Sequence, residues 1–259
     1  MIYKNLIHPF VVDTKNFVLD VLFPIYCLSC EKEGSFICAD CRATLTELQN
    51  QKCIVCQKAA IFGLTHSGCL TPHGADGLIS FYDYHDDKVA NIVIAGKYYF
   101  LPEVYKILAE IISQKLKNNH THLLSPNSYF LTPIPLHASR QRWRGFNQAE
   151  ILCQSLSENL NLPCTSVLVR SKVTKTQKDL RKEQRIKNVS DAFAVNTKLP
   201  SPIHGEGSGE RLNVKDLIRG KNIILVDDVT TTGATLMEAA KVLKRNGAAK
   251  VICLTIARD

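Results

Sequence analysis

Eight side chains between residues 27 and 69 have the types and spacing of metal ligands. They stand as Cys27-x2-Cys30, Cys38-x2-Cys41, Cys53-x2-Cys56 and His66-x2-Cys69. Two residues three apart in a tight turn can reach one metal ion at about 2.3 Å, and four such pairs supply two closed tetrahedral zinc sites. Turn residues Gly34 and Ser35 follow the first pair, and Gly68 lies inside the last. Two groupings stay open. Consecutive pairs could share a metal, or the first pair could share one with the third. His66 is the weakest ligand, since a lone loop histidine is often plain surface, and His73 competes with it. A disulfide framework is the rival reading, but seven cysteines cannot pair evenly and no export signal precedes them. Cys153, Cys164 and Cys253 are scattered and read as small apolar core residues.

A second kind of chemistry is written in Asn222-Ile-Ile-Leu-Val-Asp-Asp-Val-Thr-Thr-Thr-Gly-Ala-Thr235. Four apolar residues read as a buried strand over 222–226, closed by Asp227 and Asp228. A small-residue loop then enters a helix. Backbone N–H groups at such a junction converge on one concavity and suit a phosphate dianion. Threonine hydroxyls add donors, and Gly233 lets the main chain approach closely. Carboxylates aimed at the phosphate would repel it, so they fit best as acceptors for sugar hydroxyls. The string reads as a grip for ribose 5-phosphate; the alternative is an Asp-rich turn that merely caps a helix. The Gly-Lys-Ser/Thr ending of a P-loop is absent, and so is G-x-G-x-x-G.

The net charge is +8, and residues 170–187 carry eight of the basic residues against Asp179 and Glu183. That segment could meet an anionic partner or be a solvated face.

The remaining sequence must position these groups. The 259 residues, with 45% apolar and 22% charged side chains, have ordinary globular composition. No apolar run approaches the roughly 18–20 residues of a membrane span. The expectation is a cytoplasmic protein without membrane insertion. Residues 10–23 have helical spacing and stop at Pro24. Residues 27–70 are too short and polar for a core of their own, so metal must supply folding energy. After Gly77, strands are expected at 78–84, 128–134, 167–169, 222–226 and 250–256. Helices are expected at 88–94, 103–116, 145–160, 181–189 and 234–245. This alternation predicts an α/β fold with a mostly parallel sheet and helices on both faces. Residues 199–212, rich in Gly and Pro, read as a flexible insertion. The expected organisation is an N-terminal helical segment over 1–24, a double zinc ribbon over 25–74 and the α/β domain over 75–259.

Val226–Thr235 resembles the phosphoribosyl pyrophosphate (PRPP) signature of type I phosphoribosyltransferases. Pro133-Ile-Pro-Leu-His137, Arg144-Gly-Phe-Asn-Gln-Ala149, Gln177-Lys-Asp-Leu180 and Arg185-Ile-Lys-Asn-Val189, together with the knuckles, resemble the ComF family, linked in bacteria to DNA uptake and use. The resemblance implies a double zinc ribbon ahead of a type I phosphoribosyltransferase-like sheet. Asp227 and Asp228 would be the catalytic pair on the ribose hydroxyls. Thr230, Thr231, Thr232, Gly233, Ala234 and Thr235 would bind the 5-phosphate of PRPP. Residues 133–140 would form the pyrophosphate loop, and 174–188 a hood over the site. His137, Arg140, Arg142, Arg144, Lys172, Lys175 and Lys178 would lie on the pyrophosphate side, with Mg²⁺ bound alongside PRPP. The reaction would pass ribose 5-phosphate to a nitrogen nucleophile. A second reading is a non-catalytic module for single-stranded DNA and an uptake helicase, using the ribbons and the basic segment. The chain departs from the family at His66, where a cysteine is usual, and at Gly96, where a bulky apolar residue usually precedes Lys97-Tyr98. The 199–212 stretch is extra.

Overall fold

A computed structural model describes residues 24–124, 129–172, 184, 188–197 and 213–259. The expected helix over 10–23, the insertion over 199–212, Lys175, Lys178 and most of the 174–188 hood lie outside the described residues. The chain divides into two compact units, Met1–Thr44 and Leu45–Asp259. The second pair of knuckles therefore folds with the sheet.

In the first unit, the turn at Cys27–Cys30 leads to the short helix α1, Ala39–Ala43. Cys38 caps it, accepting a hydrogen bond from the Cys41 amide through Sγ. This is the cap role that Ser or Asp plays elsewhere.

The second unit is built on four parallel strands in the order β1-β6-β5-β2. They are β1 (Gly77–Asp83), β2 (Tyr129–Pro133), β5 (Asn222–Thr230) and β6 (Lys250–Arg258). Their near-continuous apolar runs suit strands buried on both faces. Ile223, Leu225, Val251 and Cys253 share a buried cluster with Leu236, Ala239 and Leu243 of helix α7, Ala234–Arg245. Alternation sends Ile224, Val226, Ile252 and Leu254 to the other face, which is equally buried. Helices cover both faces. Among them, α5 (Gln148–Leu160) packs on β2, on β5 and on α3 (Pro102–Asn119). Ahead of α3 lies α2, Asp87–Tyr98. Beside the sheet, β3 (Leu168–Arg170) pairs antiparallel with β4 (Phe193–Val195). Of the scattered cysteines, Cys153 and Cys253 are buried; Cys164 is half-buried, its Sγ 2.9 Å from that of Cys153.

Several elements differ from the sequence reading. The helix expected over 145–160 is α5, which starts three residues later, and an unexpected short helix, α4 (Ala138–Arg144), precedes it. Gly145, at φ +76°, ends α4 in a left-handed turn, and Asn147 caps α5 through its side chain. The strand expected over 222–226 continues to Thr230, because its ladder with β6 runs on to the Thr230–Arg258 pair. The aspartates therefore lie within the strand. Strand β4 and helix α6 (Val214–Ile218) are three and five residues long, too short to leave a periodic signal.

Candidate functional site

The acidic doublet sits at the carboxyl end of β5, where open parallel sheets bind ligands. Successive strand residues face opposite ways, so the two carboxyls differ. Asp228 is buried, and its Oδ2 lies 2.9 Å from Lys97 Nζ, near the end of α2. Its Oδ1 accepts the Val229 amide at 2.7 Å. Asp227 Oδ1 accepts the Asp228 amide at 2.9 Å. Burial, aided by the Asp228 charge, pushes the Asp227 carboxyl up to about 7. Burial works against the Lys97 ammonium, but the Asp228 carboxylate prevails and raises it.

Beyond Thr230 the chain turns through Thr231 and Thr232 to Gly233, at φ +75°, which starts α7. Glycine at this cap has no side chain to occupy the first-turn amides. Thr232 Oγ1 accepts the Ala234 amide at 3.4 Å. Asp227, Val229 and residues 230–235 line a hollow of about 50 Å³. A single water needs only about 10–15 Å³, so the hollow has room for a small oxyanion. An aspartate and a helix-opening loop lining one hollow suit a neutral hydroxyl beside an anion.

The predicted pyrophosphate loop lies next to it. Ile134 donates its amide to the Val226 carbonyl at 2.8 Å, and Asn147 Nδ2 donates to the Ile134 carbonyl at 3.0 Å. His137 acts as a helix cap: its Nδ1 accepts the Ser139 amide at 3.2 Å. Arg140 and Arg142 stand on α4, which ends in Arg144. Arg140 is half-buried, and burial together with Arg144 lowers its guanidinium. Arg170, at the end of β3, is lowered by burial and by Arg140, while Asp227 offsets this in part. Crowded guanidiniums beside a partly protonated carboxyl leave a positive site for an anion. Lys172 lies beyond β3, 3.2 Å from the Ser190 carbonyl and 4.0 Å from Asp191. Of the predicted residues the structure brings together Asp227 and Thr230 to Thr235, with Asp228 behind them.

The metal-ligand residues form two clusters, Cys27–Cys30–Cys38–Cys41 and Cys53–Cys56–His66–Cys69, whose ligand atoms all lie within 4.8 Å of one another. Consecutive pairs therefore share a site. Contacts of 3.6 Å between Cys30 and Cys38 Sγ, and 3.3 Å between Cys56 Sγ and His66 Nδ1, match the edges of a tetrahedron with bonds of about 2.0–2.3 Å. His66 Nε2 lies 2.9 Å from the Ala59 carbonyl. Donation there leaves Nδ1 free to ligate, the usual outer-shell arrangement. His73 lines a different cavity, with Ile54 and Met237. Both clusters fit zinc.

Residues 144–259 match the phosphoribosyl transferase domain family, and residues 18–70 match the double zinc ribbon domain family. The DNA utilization protein YhgH of Salmonella typhimurium is 31% identical over 186 residues, 69% of this chain and 72% of its own. Competence protein ComFC of Bacillus subtilis is 30% identical over 240 residues, 88% of this chain and 86% of its own. The chain belongs to the ComF family. Competence protein F of Haemophilus influenzae is similar as well, 27% identical over 86% of this chain and 97% of its own.

The two departures of this ComF chain have physical explanations. His66 is oriented by the Ala59 carbonyl, so the cluster remains four-ligand. At Gly96 a Cβ would come 2.8 Å from the Tyr105 ring, so Tyr105 fills the space a larger residue would take. Two ComF residues drew no role from the sequence. Lys97 is 130 positions from the doublet, and nothing local marks it as its counter-ion. Ile54 reads as an ordinary knuckle residue, yet it is buried in the sheet's apolar cluster. No helix among the described residues is long and apolar enough to cross a membrane.

Proposed function

We propose that the protein binds PRPP at the carboxyl end of β5 and transfers its ribose 5-phosphate to a nitrogen nucleophile in the cytoplasm. The observation that carries this reading is the hollow that joins the Asp227 carboxyl to the helix-opening loop 230–235. The loop amides and Thr hydroxyls hold the 5-phosphate. Asp227 accepts a ribose hydroxyl, and Asp228, tied to Lys97, fixes the strand end beneath it. Arg140, Arg142 and Arg144 serve the pyrophosphate side, the role also assigned to Lys175 and Lys178. In the transfer, a C1–N bond forms as the C1–O bond to pyrophosphate breaks. The electron pair leaves with pyrophosphate, and the nucleophile's proton passes to solvent. Mg²⁺ carried with PRPP would neutralise charge gathering on the leaving group. The protein's cations do the same from fixed positions. A thermal-shift series tests the ligand class. PRPP should raise the unfolding temperature more than pyrophosphate or nucleoside monophosphates; equal shifts would contradict it.

A second reading, contact with single-stranded DNA, is favoured by a specific surface. Tyr98, Phe100 and Trp143 are 43%, 45% and 61% exposed. Trp143 meets the other two edge-to-face, with centroids 6.5 and 5.8 Å apart. The Arg144 guanidinium lies 5.7 Å from the Tyr98 ring centre. Exposed rings beside guanidiniums can stack bases. Trp143→Ala should then weaken oligonucleotide binding by about 1–3 kcal/mol; unchanged binding would remove the patch from that role.

A further inference from the structure

The floor of the phosphate loop is made by a zinc knuckle. Ile54 stands between Cys53 and Cys56, is 2% exposed and belongs to the same apolar cluster as Leu236 and Ala239 of α7. A Cβ on Gly233 would come 2.9 Å from Ile54 Cγ1 and 3.6 Å from its carbonyl oxygen. The loop glycine therefore lies flat on the isoleucine, and its left-handed φ is adopted against that surface. The knuckle is fastened from its other side as well. Arg258, 3% exposed, donates from Nη1 to the Lys52 carbonyl at 2.8 Å and bonds the Gln57 side chain. Gln57 in turn donates to the Ile54 carbonyl at 2.8 Å. Arg258 is the ladder partner of Thr230, where the loop begins. Gln51 adds a two-way amide bond to the Ser80 backbone of β1, at 2.7 and 3.0 Å. The metal-held turn is thus joined to the loop at both ends, at Thr230 through Arg258 and at Gly233 through Ile54.

We propose that Ile54 and Arg258 are positioning residues through which the second zinc site sets the shape of the phosphate loop. Zinc at Cys53–Cys69 and ribose 5-phosphate in the loop then bind cooperatively. This rests on the phosphoribosyl reading. Linkage is reciprocal, so the ligand must tighten zinc as much as zinc tightens the ligand.

The test follows zinc release from the full chain to a chromophoric chelator, with and without ribose 5-phosphate. At equilibrium with the chelator, one of the two zinc ions should be held more tightly with the sugar phosphate, on the order of tenfold. Cys30→Ser, which removes a ligand of the first site, should leave the protected ion in place. Ile54→Ala should keep two zinc ions, lose the protection and bind ribose 5-phosphate on the order of tenfold more weakly. Ile54→Val should restore most of both. If wild type binds ribose 5-phosphate while the affinity for both ions is unchanged, the coupling is overturned, and this result needs no variant to fold. Full affinity in Ile54→Ala would overturn it too. If wild type binds no ribose 5-phosphate, the phosphoribosyl reading itself fails and the coupling falls with it.

Discussion

The two zinc knuckles that open each cluster are built alike and used differently. In both, the amide four residues after the first cysteine returns to that cysteine's carbonyl: Glu31 to Cys27 at 2.9 Å and Gln57 to Cys53 at 3.0 Å. Both returning residues are left-handed, at φ +61° and +63°. In both, the cysteine amide donates to the carbonyl five residues on, at Lys32 and Lys58, at 2.8 Å. The residue after the first cysteine separates them. Leu28 is half-buried, whereas Ile54 is in the core of the sheet unit. A repeated motif can thus keep its metal geometry while one copy is absorbed into a neighbouring fold. The first copy lies in its own small unit; the second supplies part of the sheet's core.

Removing one metal at a time should give the largest contrast. Cys56→Ser should lose about one zinc per chain and destabilise the sheet unit on the order of 5 kcal/mol, because metal binding energy is folding energy. Cys30→Ser should lose about one zinc and leave the sheet's unfolding midpoint unchanged. Metal analysis and circular dichroism read both; equal midpoints would erase the distinction. Next in size is the packing contrast. Ile54→Ala should cost about 3 kcal/mol by opening a core cavity, and Leu28→Ala less than about 1 kcal/mol. Denaturant midpoints decide between them. Arg258→Met should cost about 2 kcal/mol by leaving the Lys52 carbonyl without its charged donor.

The smallest effect lies on the loop side of the second knuckle and has the opposite sign. Asp227 titrates near 7 when folded, against an ordinary 3.8, so the folded chain holds this proton more tightly than the unfolded chain. Its contribution is fully present below the ordinary value and is lost as pH rises from about 4 through about 7. Relative to wild type, Asp227→Asn should gain stability over that range and hold the gain above it. The gain at pH 8 should be on the order of a few degrees in unfolding temperature. A difference that does not change with pH would show that Asp227 ionises normally.

Much of this was legible because spacing and residue type carry it. Four knuckles fix the metal, and a buried strand running into Asp-Asp-Val-Thr-Thr-Thr-Gly fixes the hollow. Legibility failed where long-range contacts decide. Ladder pairing with β6 carries β5 through two aspartates that strand propensity disfavours. Helix α4 is seven residues long and buries none of them, so it leaves no apolar pattern to read. The pairing of Lys97 with Asp228 and the seating of Ile54 under Gly233 join residues far apart in sequence. The grouping of the ligands into consecutive sites, left open by spacing, follows from the fold of each turn.

The most direct test is calorimetric titration of PRPP with Mg²⁺ into the zinc-loaded chain and into the Asp227→Asn, Asp228→Asn double variant. The prediction is one PRPP bound per wild-type chain and binding at least about tenfold weaker in the variant, with both zinc ions and the fold retained. Equal affinity in the two proteins, or no binding to the wild type, would contradict it.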